Sequence, residues 1–148
     1  MERAQREGVK LDDPRKIFIF TIFTAITNIV PKDYFELDFV ISFLVEPSDF
    51  RKIKNKLGTS IKLLSQELKK QIEIVVYSDD LEQFIKNLIR PAVVEKISIR
   101  NVKDDKKSVY IKVQPWDRGK ALGRNSYKLQ RTKFFLNKYF NVINVKIV

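Results

Sequence analysis

Two short stretches of this chain combine turn residues with basic side chains at spacings suited to holding an anion. The first to stand out is Gly123-Arg124-Asn125-Ser126, flanked by Lys120, Lys128 and Arg131. Glycine allows a backbone to turn left-handed and come close to a ligand. A helix starting just after the turn presents its first amides, and the positive end of its dipole, to negative charge. The second stretch is Asn55-Lys56-Leu57-Gly58, with Arg51, Lys52, Lys54 and Lys62 nearby. The chemistry this pattern offers is the binding of phosphates, with no bond made or broken.

Charge supports that reading. The chain carries 29 basic and 18 acidic residues, a net charge of +11 at a pI near 9.8. Its last acidic residue is Asp117, and the eight cations from Arg118 to Lys146 meet no counter-charge in sequence. Positive charge concentrated at one end points to a polyanionic partner, most commonly nucleic acid. The chain lacks both Cys and His, which excludes disulfides, Cys/His metal sites, cysteine nucleophiles and His-dependent catalysis. Asp12-Asp13, Asp79-Asp80 and Asp104-Asp105 fall at expected caps and turns, where Asp is favoured for structural reasons. Gly119 to Ser126 lacks the Gly-Lys-Ser/Thr ending of a nucleotide-hydrolysing loop. No enzyme activity and no cofactor is expected.

The elements that must position these residues follow from punctuation. Residues 1–10 have little apolar content and are expected to form a flexible arm. Asp13-Pro14 reads as a helix start, and the apolar run Ile17 to Val30 continues it to about Asn28, although its β-branched residues would equally suit a strand. That run is too short for a membrane span, and a cytoplasmic protein with no membrane partner is expected. Asp33 to Val45 reads as one or two strands. Pro47-Ser48-Asp49 opens a short helix, and a longer helix carries Ile61, Leu64 and Leu68 on one face. Residues 72–77 form a strand, and Asp79-Asp80 opens another helix. Two strands follow, at 93–100 and 109–113, joined by a turn at Asp104 to Lys107. A short helix from Pro115, the Gly123 turn, a long helix with Leu129, Thr132, Leu136 and Phe140 inward, and a last strand over 142–148 complete the chain. Arg124, Lys128, Arg131 and Lys138 are expected to form a basic stripe opposite the apolar one. Trp116 is read as a core or domain-interface residue, with base stacking as the alternative.

The second half repeats the first. Pro47-Ser48-Asp49 aligns with Pro115-Trp116-Asp117 at an offset of 68 positions, and the same offset carries Asn55 to Gly58 onto Gly123 to Ser126. The fold expected is α+β: two similar units, residues 11–78 and 79–148, each a small sheet covered by helices, packed together.

Strand, short helix, Gly-x-x-Gly loop, second helix and strand is the order of the KH domain, an RNA-binding module whose loop clamps nucleotides. With a helix and strand placed before that core, each copy resembles the type II KH arrangement. The stretches VYSDDLEQFIKNLIRPAVVEKI, VYIKVQPWDRGKALGRN and NVINVKIV closely resemble the archaeal NusA-like transcription factors, which consist of two tandem KH domains. The resemblance implies single-stranded RNA as partner, in transcription elongation or termination. RNA polymerase or another transcription protein is a further partner class, although the polymerase-binding and S1 domains of bacterial NusA have no counterpart in this sequence. The family's loop usually has Gly at both outer positions, where this chain has Asn55 in one copy and Ser126 in the other. Asn55 is expected to keep the turn through left-handed backbone, and Ser126 to cap the following helix. The competing class is a degenerate KH module that docks an acidic partner protein.

Overall fold

Asp13 acts as the N-cap of the first described helix. Its Oδ1 accepts from the Arg15 amide at 3.0 Å, and Pro14 takes the first helical position, where no N–H is needed. The computed structural model describes residues 13–148. The arm expected over residues 1–10, and Asp12 of the first acidic pair, lie outside the described residues. The ambiguous apolar run is helical: α1 spans Pro14–Thr27 and closes on left-handed Asn28. Ile19, Phe23 and Thr27 recur at helical spacing and are buried, whereas Ile17 and Phe18 are exposed. One-sided burial at that period is what a strand could not provide.

Strand β1 (Asp33–Glu36) pairs antiparallel with β2 (Val40–Val45), and β2 pairs in parallel with β3 (Gln71–Val76). The parallel step is bridged by α2 (Pro47–Ile53), a single 3₁₀ turn at Lys54–Lys56 and α3 (Leu57–Leu68). Ile41, Phe43 and Val45 of β2 meet Ile19 and Phe23 of α1 and Leu64 and Leu68 of α3 in one core. Glu36 holds the edge of this sheet, accepting from Arg15 and from Lys70 Nζ at 2.7 Å.

The second half has the same order and pairing. After α4 (Leu81–Ile89), β4 (Val94–Asn101) pairs antiparallel with β5 (Lys107–Val113), and β5 pairs in parallel with β6 (Val142–Ile147). Asp104 and Asp105 both have positive φ, as the central residues of a type I′ hairpin turn require, and the Lys106 amide donates to the Lys103 carbonyl at 2.9 Å. Between β5 and β6 come a 3₁₀ turn (Pro115–Asp117), α5 (Arg118–Leu122), a tight turn over Arg124–Ser126 with left-handed Asn125 and Ser126, and α6 (Tyr127–Phe140).

The chain divides into two compact units, one ending at Val76 and the other spanning Tyr77–Val148. Each is an α+β unit with one three-stranded sheet flanked by helices. Matching residues do matching work: Asp49 pairs with Lys52 at 3.4 Å, and Asp117, 68 positions on, pairs with Lys120 at 3.7 Å.

The inward face of α6 differs from the expected one. Its buried residues are Tyr127, Arg131, Thr132, Phe135 and Leu136, while Leu129 and Phe140 are half-buried. Arg131 lies on the apolar stripe, so the basic stripe drawn through it from the sequence does not exist.

Candidate nucleic-acid interface

The second unit builds its loop from three departures from helix within four residues. Gly123 has φ +75°, and Asn125 and Ser126 follow in left-handed conformation at φ 55° and 58°. Only glycine enters this region freely, and Asn tolerates it better than Ser. The Ser126 amide donates back to the Gly123 carbonyl at 3.0 Å and closes the turn. Ser126 stands at the N-cap of α6, yet its hydroxyl makes no capping bond there, because the left-handed backbone departs from the extended geometry a serine cap uses.

What holds the loop is a stack beneath it. A Cβ on Gly123 would come within 2.7 Å of the Tyr127 ring, so the glycine lies directly against that ring. The Arg131 guanidinium carbon lies 5.9 Å from the centre of the same ring, within cation–π range. Arg131 is only 2% exposed, and its guanidinium donates to the carbonyl of Leu88. Lys128 Nζ donates to the Arg90 carbonyl at 2.8 Å. Both acceptors belong to the C-terminal turn of α4 and its cap, where carbonyls lack helical partners and favour cations. Asp117, buried, accepts from the Val93 amide at 3.0 Å and fixes the approach to α5.

The predicted residues therefore separate by position. Gly123, Arg124, Asn125 and Ser126 form the loop itself, with Arg124 and Asn125 exposed. Lys120 is exposed at the start of the loop, loosely paired with Asp117. Lys128 is half-buried and tied to α4. Arg131 is beneath the surface, a correction to its expected place on the outer face. Trp116 is 75% exposed, so it is not a core residue. Gln130, Lys133, Phe134 and Asn137 of α6 face Val142, Ile143, Asn144 and Val145 of β6 across an open groove of about 350 Å³ that sequence reasoning missed. The spacing of Gln130, Phe134 and Asn137 on one helical face was the available signal.

The first unit's loop is built differently. Residues Lys54–Lys56 continue the helical path in a 3₁₀ turn, and none of Asn55, Lys56, Leu57 or Gly58 has positive φ. Asn55 therefore does not supply a left-handed turn, because a helical connection needs none. A Cβ at Gly58 would meet nothing within 4 Å. Asn55, Lys56, Gly58 and Lys62 are exposed, whereas Leu57 packs against the core.

Among the described residues no helix is long and apolar enough to cross a membrane, and no group of three or more carboxylates could hold a metal ion. No family model matches the sequence. Curated archaeal proteins do. The probable transcription termination protein NusA of Methanococcus vannielii is 28% identical over 143 residues, covering 97% of this chain and 80% of that protein. Its namesake in Methanocaldococcus jannaschii is 25% identical over 126 residues, covering 85% of this chain and 68% of that protein. These relatives support a NusA-like family for the chain. The protein of the same name from Thermoplasma acidophilum is 25% identical, covering 85% of this chain and 87% of that protein. Among solved structures, the crystal structure of APE1850 superposes with a TM-score of 0.74 at 32% identity, covering 95% of this chain and all of that one. The two three-stranded sheets flanked by helices are consistent with two KH-like domains.

Proposed function

We propose that the chain binds single-stranded RNA through the Gly123–Ser126 loop and serves, without catalysis, as a NusA-like factor in transcription elongation or termination. In this reading each unit is a type II KH domain, the first running to about Val76 and the second from there to Val148. The observation that carries it is the contrast between the two loops: only the second is left-handed, glycine-seated and supported from below.

An RNA backbone crosses that loop, with Lys120 and Arg124 neutralising phosphates and the amides of the turn donating to phosphate oxygens. Lys128 supplies positive potential from its place beside Arg90. Bases reach the groove between α6 and β6, and exposed Trp116 is available for stacking. Arg131 positions the loop through Tyr127. In the first unit Lys56 and Lys62 add weaker electrostatic contact, Asn55 and the Gly58 amide offer only neutral donors, and Leu57 adds none. The names of the relatives make the transcription machinery the protein partner to test.

Fluorescence anisotropy with a short single-stranded RNA tests the reading. Neutralising about three phosphates at the loop contributes about −2 to the salt slope, from roughly −0.7 per contact, and Arg124→Asp reduces it. Absence of binding at low salt, or equal effects of Arg124→Asp and Lys56→Asp, would contradict it.

A further inference from the structure

We propose that the solvent face of the β4–β5–β6 sheet is a second single-stranded nucleic-acid surface, with Tyr110 as the base platform and Lys96, Arg100, Lys112 and Lys146 as phosphate contacts. The face is fixed by register. Ile97, Ile99, Val109, Ile111, Val145 and Ile147 share the side toward the helices, so the alternate residues of each strand point outward. Lys96 stands opposite Lys112, Ser98 opposite Tyr110, and Tyr110 opposite Lys146. One exposed aromatic ring is thus surrounded by cations on three strands.

Two observations make this more than a solvated sheet. Like charges directly opposite across strands destabilise a sheet, and Lys96 and Lys112 are such a pair. The only ion pair on this face among the described residues is Lys112 with Glu95, at a loose 3.8 Å, while Lys96, Arg100 and Lys146 have none. A polyanion would relieve that repulsion. Second, Lys96, Ser98, Arg100, Tyr110 and Lys112 line a shallow concavity of about 300 Å³ whose exposed surface is largely apolar. That combination suits a base lying on a ring with its backbone along the cations. Lys96 and Arg100 are separated by about 13 Å along β4, the reach of a few nucleotides. The matching face of the first sheet carries Phe35, Ser42, Leu44, Glu73 and Val75 and no cation. The surface belongs to the second unit alone.

The test uses the full chain carrying Arg124→Asp, so that the loop and the sheet face are read separately, with fluorescein-labelled oligouridylate in anisotropy titrations at 20 to 200 mM salt. The Arg124→Asp chain is expected to retain binding. Adding Tyr110→Ala lowers the residual affinity at least about fivefold, while Tyr110→Phe preserves it. Adding Lys96→Gln and Lys112→Gln flattens the salt slope by about 1.4. No residual binding in the Arg124→Asp chain, or residual binding indifferent to these sheet substitutions, overturns the proposal. Displacement of the RNA by polyglutamate, with no effect of Tyr110→Ala, assigns the face to an acidic protein and overturns it equally. If Arg124→Asp proves silent while the sheet variants weaken binding, the loop reading fails and this one stands.

Discussion

The α-carbon of Gly123 rests on the ring of Tyr127 so closely that a Cβ there would lie 2.7 Å from Cε2, well inside van der Waals contact. This one approach, with φ at +75°, fixes the loop on α6. Gly123→Ala therefore strains both backbone and packing and is expected to destabilise the second unit by about 2 kcal/mol. Gly58→Ala, in a helical position with open space around it, is expected to be neutral or to stabilise by about 0.5–1 kcal/mol. Urea denaturation of the two variants measures both, and equal losses would remove the distinction between the loops.

Ser126 follows Asn125 into left-handed backbone with no capping bond in return. Ser126→Gly is expected to raise stability by about 1 kcal/mol, because glycine enters that region without steric cost. Affinity for RNA should hold or increase, since the bulk nearest the phosphates is removed. A loss of stability in the same denaturation measurement would show that the hydroxyl contributes something the geometry does not reveal.

Arg131 and Arg124 are predicted to fail in opposite ways. Arg131→Met removes a buried charged donor from the Leu88 carbonyl and the support under Tyr127, at a cost of about 2–3 kcal/mol. Its effect on RNA binding should follow the stability loss and leave the salt slope unchanged, because the guanidinium does not reach the surface. Arg124→Asp should leave the thermal midpoint in place and weaken binding. Thermal unfolding beside salt-dependent titration separates the two.

Glu36 gives the first unit a pH dependence. Burial pushes its carboxyl up, but hydrogen bonds from Arg15 and Lys70 outweigh burial and hold it below the usual carboxylate range. A carboxylate depressed in the folded state stabilises above its unfolded pKa, and that contribution is lost as pH falls through the folded value. The stability gap between the chain and its Glu36→Gln variant should be full near pH 7 and shrink as pH falls below about 4. A gap that stays constant from pH 7 to pH 3 would contradict the assignment.

The element order was legible because the chain punctuates it with Asp-Pro, Pro-x-Asp and glycine at positions where backbone geometry leaves few alternatives. The α5–α6 turn was legible for the same reason. Arg131 was misplaced because a helical cation reads alike whether it faces solvent or the carbonyl end of another helix. Its position four residues from both Tyr127 and Phe135 was the signal that it belonged to the inward stripe. Asn55 was credited with a left-handed turn on residue type alone, whereas α2 and α3 connect through a helical turn. Trp116 was assigned inward from its place at the start of a short helix beside a strand, whereas the 3₁₀ turn at Pro115–Asp117 leaves it outside. The basic face of the second sheet could be read only once the register of three strands was known.

The most direct test of the central claim is NMR chemical-shift mapping of the full chain with a short single-stranded RNA. The largest shifts are expected at the amides of Gly123, Arg124, Asn125 and Ser126 and at the side of α6 facing β6, with smaller ones at Lys56 and Lys62. Shifts confined to the first unit, or none at low salt, would contradict the account.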